Sequence, residues 1–563
     1  MTLATSSYDP APPLRAWQRR ALVAYLQRRP QDFLAVATPG AGKTTFALKV
    51  ATELLNDHTV QAVTVVTPTE HLKSQWAQAA AQAGIDLDPT FSNAIAKTSR
   101  DFTGVAVTYA QVAAHPMLHR ARTEARRTLV ILDEIHHAGD AKSWGDAVRE
   151  AFDPATRRLA LTGTPFRSDT SAIPFVTYEA GPDGIRRSSA DHSYGYGDAL
   201  RDKVVRPVLF LAYSGEMRWR TSAGDEVAAT LGEPLTQDAM AQAWRTALDP
   251  KGEWIPTVLQ AADQRLTAKR REMPDAGGLV IASDHNTARS YAALLRRITG
   301  EAPTVVLSDD PKASRKIAEF GASNDRWLVA VRMVSEGVDV PRLAVGVYAT
   351  SVSTPLFFAQ AVGRFVRARN RRETASVFLP SVPSLLALAA EMEVERDHAL
   401  DRPMRDGEWD DALLREANTT RSTPEVDAQR WEALGANAHL DRLIFDGADY
   451  GSAAAPGTPE EEEYLGLPGL LDADQVAVLL QRRQAEQQAR LRGTKKEPKP
   501  LTAHEELVLL RKDLNALVNA VALRVGRSQA LIHAELRRAC GGPVTAEATA
   551  EQLRTRLNYL RKA

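Results

Sequence analysis

FLAVATPGAGKTTFALKV, residues 33 to 50, joins an apolar run to a glycine-rich turn and a helical stretch. An apolar run from Phe33 to Thr38 reads as a strand. Proline and glycine then punctuate the chain, and a helix starts at Lys43. The same unit recurs outward from it: VTVVTP followed by a helix from Glu70, then VAVTY, LVILDE and RLALTGT. Continuous apolar strands, each followed by a helix, predict a parallel sheet covered on both faces. The pattern stops near residue 205 and returns between 206 and 380 with VLFLAY, GLVIAS, TVVLS, WLVAV and VGVYAT. Two α/β domains in tandem, 1–205 and 206–400, is the economical reading.

The chemistry lies in the turns. In Pro39-Gly40-Ala41-Gly42-Lys43-Thr44 the small residues let backbone N–H groups approach a phosphate chain. Lys43 then reaches the β and γ oxygens and Thr44 ligates magnesium, with Thr45 beside it. Ala37 stands where the general pattern has its first glycine, and an ordinary glycine-rich turn is the alternative reading. About ninety residues later LVILDEIHHAGD ends an apolar strand on Asp133 and Glu134. One carboxylate there suits magnesium and the other suits polarising a water. A strand-end loop with solvated acids is the competing view, and it loses weight once the pair follows such a loop in an α/β domain.

Bulk properties bound the rest. The chain has 563 residues, 44% hydrophobic and 25% charged, enough for several domains. Its formal net charge is zero, so any nucleic-acid contact must come from local basic surface. The single cysteine, Cys540, allows neither an internal disulfide nor a cysteine-based zinc site. No apolar run approaches the length of a membrane span, and MTLATSSYDPAPP lacks the layout of a secretion signal. A cytoplasmic location is the expectation.

Across residues 14 to 370 the segments resemble, in order, the motif set of superfamily II helicases and translocases of the DEAD/DEAH type. LRAWQ, ending in Gln18, resembles the adenine-reading Q-motif, and the loop holding Gly40, Gly42, Lys43, Thr44 and Thr45 is motif I. VVTPTEHL, with Pro68 and Thr69, resembles motif Ia, and VTYAQV, with Thr108, the next strand-binding motif. Asp133-Glu134-Ile135-His136 resembles a DEAH box with isoleucine in place of alanine, and Leu161-Thr162-Gly163-Thr164-Pro165 resembles motif III. IASDHNTA, with Ser283, resembles motif IV, the stretch Val334 to Pro341, with Gly337 and Asp339, motif V, and Gln360 to Arg367 motif VI.

The resemblance implies two RecA-like domains that use ATP and magnesium, with Lys43, Asp133, Glu134, His136, Gln360, Arg364 and Arg367 in catalysis. It implies that Gln18, Gly337 and Asp339 hold nucleotide, that His136, Thr162 and Thr164 couple the ATP site to the second domain, and that Pro68, Thr69, Thr108 and Ser283 touch nucleic acid. The spacing of Arg364 and Arg367 would put both on one helical face, as suits arginine fingers. LRxxQ, DEIHH and TGTPFR together favour DNA and resemble repair helicases and restriction-enzyme motor subunits.

Beyond the motifs, residues 401–475 read as an acidic connector, sixteen acidic to six basic residues over 401–463. Residues 476–563 read as a basic helical region whose last part is three helices. Leu507, Leu510, Leu514, Leu517 and Val521 mark one face, Ser528 caps the second helix and Thr549 starts the third. Its arginines suit nucleic acid or a protein partner, or are solvated helix faces. Two functions are open: a DNA helicase or translocase, or an ATP-gated nucleic-acid clamp without processive unwinding. An RNA helicase is a further alternative.

Overall fold

The computed structural model describes residues 13–136, 142–163, 172–181, 186–221, 226–307, 310, 312–331, 340–369, 372–392, 431–445, 448–450, 454–493, 503–545 and 547–562. Thr164, Gly337 and Asp339, and residues 401–430 of the expected connector, lie outside the described residues. The chain divides into two compact units, one built on Met1–Val205, the other on Arg206–Val334, Asp339–Met392 and Trp409–Ala563. Each contains a sheet built on parallel strands.

In the first unit a seven-stranded sheet runs Leu87–Asp88, Gly104–Thr108, Ala62–Thr67, Thr128–Leu132, Arg157–Thr162, Asp32–Ala37, His192–Tyr194. Every pairing is parallel. Both faces are covered, which is why Thr128–Leu132 and Gly104–Thr108 are buried along their whole length. The strands leading to the glycine loop, to Asp133 and to Gly163 are neighbours, so three turns distant in sequence emerge side by side at the carboxyl edge.

The second unit has an eight-stranded sheet in the order Thr304–Val306, Trp327–Val331, Gly277–Ala282, Leu343–Ala349, Ala375–Pro380, Val208–Ser214, His439–Phe445, Ala448–Tyr450. The last two strands are antiparallel additions. They come from the stretch expected to be connector, and Trp431–Ala436 pairs with Glu216–Thr221 in a separate three-stranded sheet. Acidic composition misled because the acids of this stretch flank short strands whose apolar residues, such as Leu440, Leu443 and Ile444, are buried.

Three C-terminal helices, Ala503–Val525, Gln529–Cys540 and Ala550–Lys562, enclose a core of their own around Leu514, Val518, Leu536 and Leu553. Leu507, Leu510, Leu517 and Val521 pack at its margin. The first of these helices also lies against the strand Glu226–Thr230. Arg556 is no surface arginine: it is 1% exposed and donates to the carbonyls of Gly541 and Pro543. No helix among the described residues is long and apolar enough to cross a membrane.

Candidate active site

The glycine loop joins Ala37 to the helix Lys43–Asn56. Gly42 caps that helix with φ +92°, a left-handed conformation that L side chains adopt at a cost, and a Cβ there would come within 2.7 Å of Gln18 Nε2. The preceding helix clamps the loop through its carbonyls. Arg15 reaches Gly40 at 2.8 Å, Trp17 reaches Ala41 at 3.0 Å, and Gln18 Nε2 donates to Gly42 at 2.8 Å. Trp17 in turn stacks on Tyr194. Gln18 is 2% exposed, so its amide supports the loop from behind, a role that the Q-motif resemblance did not indicate.

Lys43 Nζ lies 2.7 Å from Glu134 Oε1 and also donates to the Ala37 carbonyl at 3.2 Å. Glu134 Oε2 accepts from the Gly163 N–H at 2.9 Å. A Cβ at Gly163 would come within 2.8 Å of Lys43 Nζ and displace the lysine from this position. Glu134 itself sits at φ +48°, uncommon for a residue with a Cβ and costing on the order of 1 kcal/mol. Burial alone would raise its pKa. The opposing pull of Lys43, His136 and the Gly163 N–H is greater and brings it down to about 2. Glu134 is therefore ionised. The carboxyl of Asp133 behaves oppositely: burial and the adjacent Glu134 charge push it up to about 6.

His136 is 2% exposed, with Nδ1 2.9 Å from Thr162 Oγ1 and 3.6 Å from Glu134 Oε2. The box and the TGT segment are thereby tied together within one unit. Thr44, half-buried, opens the helix behind the loop and Thr45 is exposed. The Thr44 hydroxyl and the Asp133 carboxylate are hard oxygen donors of the kind magnesium takes. The residues fit the group that the resemblance implies.

Pro68 and Thr69 follow the strand Ala62–Thr67, and Thr108 ends Gly104–Thr108, where its side chain caps the next helix by accepting from Gln111 N. Ser283 follows the strand Gly277–Ala282, just before the cap Asp284. In the second unit one expectation fails. The helix Pro355–Val362, carrying Gln360, ends at Gly363, so Arg364 and Arg367 do not share a helical face. Past Gly363 the backbone bonds tighten to a three-residue spacing, Arg364 N–H to Ala361 O at 3.3 Å and Phe365 N–H to Val362 O at 2.8 Å, and beyond them Arg206 holds the chain: its backbone N–H donates to Val366 O at 2.8 Å and its Nε to Phe365 O at 2.6 Å. Arg206 is buried against Glu373 at 3.2 Å. Neither Arg206 nor Glu373 was marked by any local motif.

Residues 12–167 match the family described as Type III restriction enzyme, res subunit. An uncharacterized protein of Mycobacterium tuberculosis (strain CDC 1551 / Oshkosh) is 60% identical over 559 residues, covering 98% of this chain and 93% of that protein. The DNA 3'-5' translocase XPB2 of Sulfurisphaera tokodaii is 23% identical over 380 residues, covering 64% of this chain and 79% of that protein. Among solved structures, the ATP-dependent Type ISP restriction-modification enzyme LlaBIII bound to DNA matches at 13% identity and a TM-score of 0.45, covering 98% of this chain and 40% of that chain. The chain therefore belongs to one family with this near full-length mycobacterial relative, and its residues 12–167, which carry the glycine loop and the DEIH box, form a res-subunit domain of the superfamily II helicase type.

Proposed function

We propose that this chain is an ATP-dependent motor on DNA, a helicase or double-stranded-DNA translocase that couples MgATP hydrolysis to movement or unwinding. The observation that carries the reading is the constellation Lys43, Glu134 and Gly163 at three neighbouring strand ends. Lys43 binds the β and γ phosphate oxygens of ATP, and the glycine loop donates its backbone N–H groups to them. Glu134, ionised and oriented by the Gly163 N–H, holds the attacking water. Magnesium, held by Thr44 and Asp133, supplies positive charge at the phosphates. His136 and Thr162, hydrogen-bonded to each other, relay the state of that water site to the TGT segment.

Gln18 serves the nucleotide site through its hold on the Gly42 carbonyl, Gly337 and Asp339 complete that site in this proposal, Gln360, Arg364 and Arg367 serve hydrolysis, and Thr164 acts in coupling. Pro68, Thr69, Thr108 and Ser283 stand at strand ends where backbone phosphates are commonly bound. DNA is favoured over RNA by the activity for which the translocase relative is named and by the restriction-subunit family of the first domain. Phosphate release measured with single-stranded DNA, duplex DNA and RNA, beside strand- and triplex-displacement assays, tests the reading. DNA-stimulated release with displacement of a strand or triplex is the expected result. Stimulated release with neither displacement would identify an ATP-gated clamp, and stimulation by RNA alone an RNA helicase.

A further inference from the structure

Asp133 is gripped twice by buried aromatic donors. Trp76 Nε1 donates to its Oδ2 at 2.7 Å, and the Tyr109 hydroxyl donates to its backbone carbonyl at 2.9 Å. Both donors are buried, Trp76 at 2% exposure and Tyr109 at 0%. An indole N–H can only donate, so its contact favours an ionised Asp133 and fixes the orientation of the carboxylate.

The origin of the two donors gives the contacts meaning. Trp76 lies on the helix Glu70–Gln82, which begins directly after Pro68 and Thr69. Tyr109 is the first residue of the helix Tyr109–Ala114, whose cap is Thr108. The strands that launch these helices, Ala62–Thr67 and Gly104–Thr108, are paired, and Ala62–Thr67 also pairs with Thr128–Leu132, which delivers Asp133. The helices are joined to each other as well. Lys73, 3% exposed, donates to Gln111 Oε1 at 3.3 Å, and the same oxygen accepts from the Thr108 N–H at 2.9 Å. A shift at either helix start therefore bears on the aspartate through short, buried hydrogen bonds.

We propose that Trp76 and Tyr109 are positioning residues, which set the Asp133 carboxylate for its divalent cation and transmit to it the occupation of the helix starts at Pro68–Thr69 and Thr108 by a nucleic-acid backbone. The inference rests on the reading of Asp133 as the cation ligand. It adds a route from the polymer to the ATP site that runs through the first unit alone.

A purely structural role would also explain a satisfied indole N–H, and the experiment separates the two. In the full-length protein, Trp76→Phe keeps an aromatic ring and deletes the donor, and Tyr109→Phe deletes one hydroxyl. Binding of a fluorescent ATP analogue is followed by anisotropy while Mg2+ is titrated, thermal unfolding is recorded for each variant, and DNA-stimulated over basal phosphate release is measured. For Trp76→Phe the Mg2+ concentration at half-saturation rises by about tenfold or more, the usual effect of losing a partner of a metal ligand. Its binding of the analogue without Mg2+ stays as in the wild type. For Tyr109→Phe the stimulation ratio falls by about fivefold, as for one lost hydrogen bond.

Variants that fold and keep the wild-type Mg2+ midpoint and stimulation ratio overturn the inference, whatever their melting temperature. If Trp76→Phe does not fold, an unchanged stimulation ratio in Tyr109→Phe overturns it and a reduced one upholds it. Were the wild type itself to bind the analogue without any Mg2+ dependence, the ATP-site reading would fall, and this inference with it.

Discussion

Replacing Glu134 with glutamine should make the protein bind ATP more tightly while nearly abolishing turnover. In the structure the glutamate holds the lysine that the phosphates need: Lys43 Nζ is 2.7 Å from Oε1, with side-chain exposures of 11% and 28%. A net hydrogen bond to a charged group contributes about 1.5–3 kcal/mol. Partial exposure of both groups screens it towards the lower end, about 1.5 kcal/mol. Glutamine keeps an oxygen for the Gly163 N–H, carries no charge to hold Lys43, and bears the same backbone cost at φ +48°. Removing that competition lowers the Kd for ATP by about tenfold. Losing the carboxylate that orients water lowers kcat by about a hundredfold to ten-thousandfold. Anisotropy with a labelled ATP analogue gives the first quantity and steady-state phosphate release the second. Turnover within threefold of the wild type, or clearly weaker ATP binding, would contradict these roles of Glu134.

Other outcomes are expected from the same geometry. Arg364→Ala and Arg367→Ala should each slow hydrolysis by about a thousandfold or more while ATP affinity stays within tenfold, since a finger acts on the transition state; normal single-turnover rates in both would remove motif VI from the mechanism. His119, 2% exposed, has its pKa lowered from 6.5 to about 4 by burial and by Arg122. A depressed folded-state pKa means the unfolded chain binds the proton first, so stability present above pH 6.5 is lost as pH falls towards 4, by about 3 kcal/mol. Urea unfolding of the wild type and His119→Gln at pH 7 and 4.5 checks this: equal acid losses in both would contradict it. Arg524, Arg538 and Arg554 are exposed on the C-terminal helices. If they meet phosphates, their triple alanine variant should flatten the slope of log affinity against log salt by up to about 2.7. An unchanged slope makes this region a partner-docking or structural module.

The parallel strands were legible because burial on both faces turns each into an unbroken apolar run, as in Thr128–Leu132 and Trp327–Val331. Their adjacency then brings Lys43, Glu134 and Gly163 together, although no local pattern records that the three turns are neighbours. The hidden features depend on long-range contacts. Trp76 reaches Asp133 across 57 residues and Arg206 reaches Phe365 across 159, and a lone tryptophan or arginine carries no sign of its partner. The helical reading of Arg364 and Arg367 failed because the backbone turns out of the helix at Gly363 and is then held by Arg206 at the Phe365 and Val366 carbonyls, a contact no local spacing records. The strands His439–Phe445 and Ala448–Tyr450 were obscured by the acidic composition around them, and their strand character comes from pairing, the first with Val208–Ser214 and the second with the first.

In the proposed function the Lys43–Asp133–Glu134 site hydrolyses ATP in response to DNA. The most direct test is steady-state phosphate release by the purified full-length chain and its Lys43→Ala variant, each with and without DNA. Release should be stimulated by DNA in the wild type and absent from Lys43→Ala in both conditions. Release that persists in Lys43→Ala, or a wild type whose release is indifferent to DNA, would contradict this function.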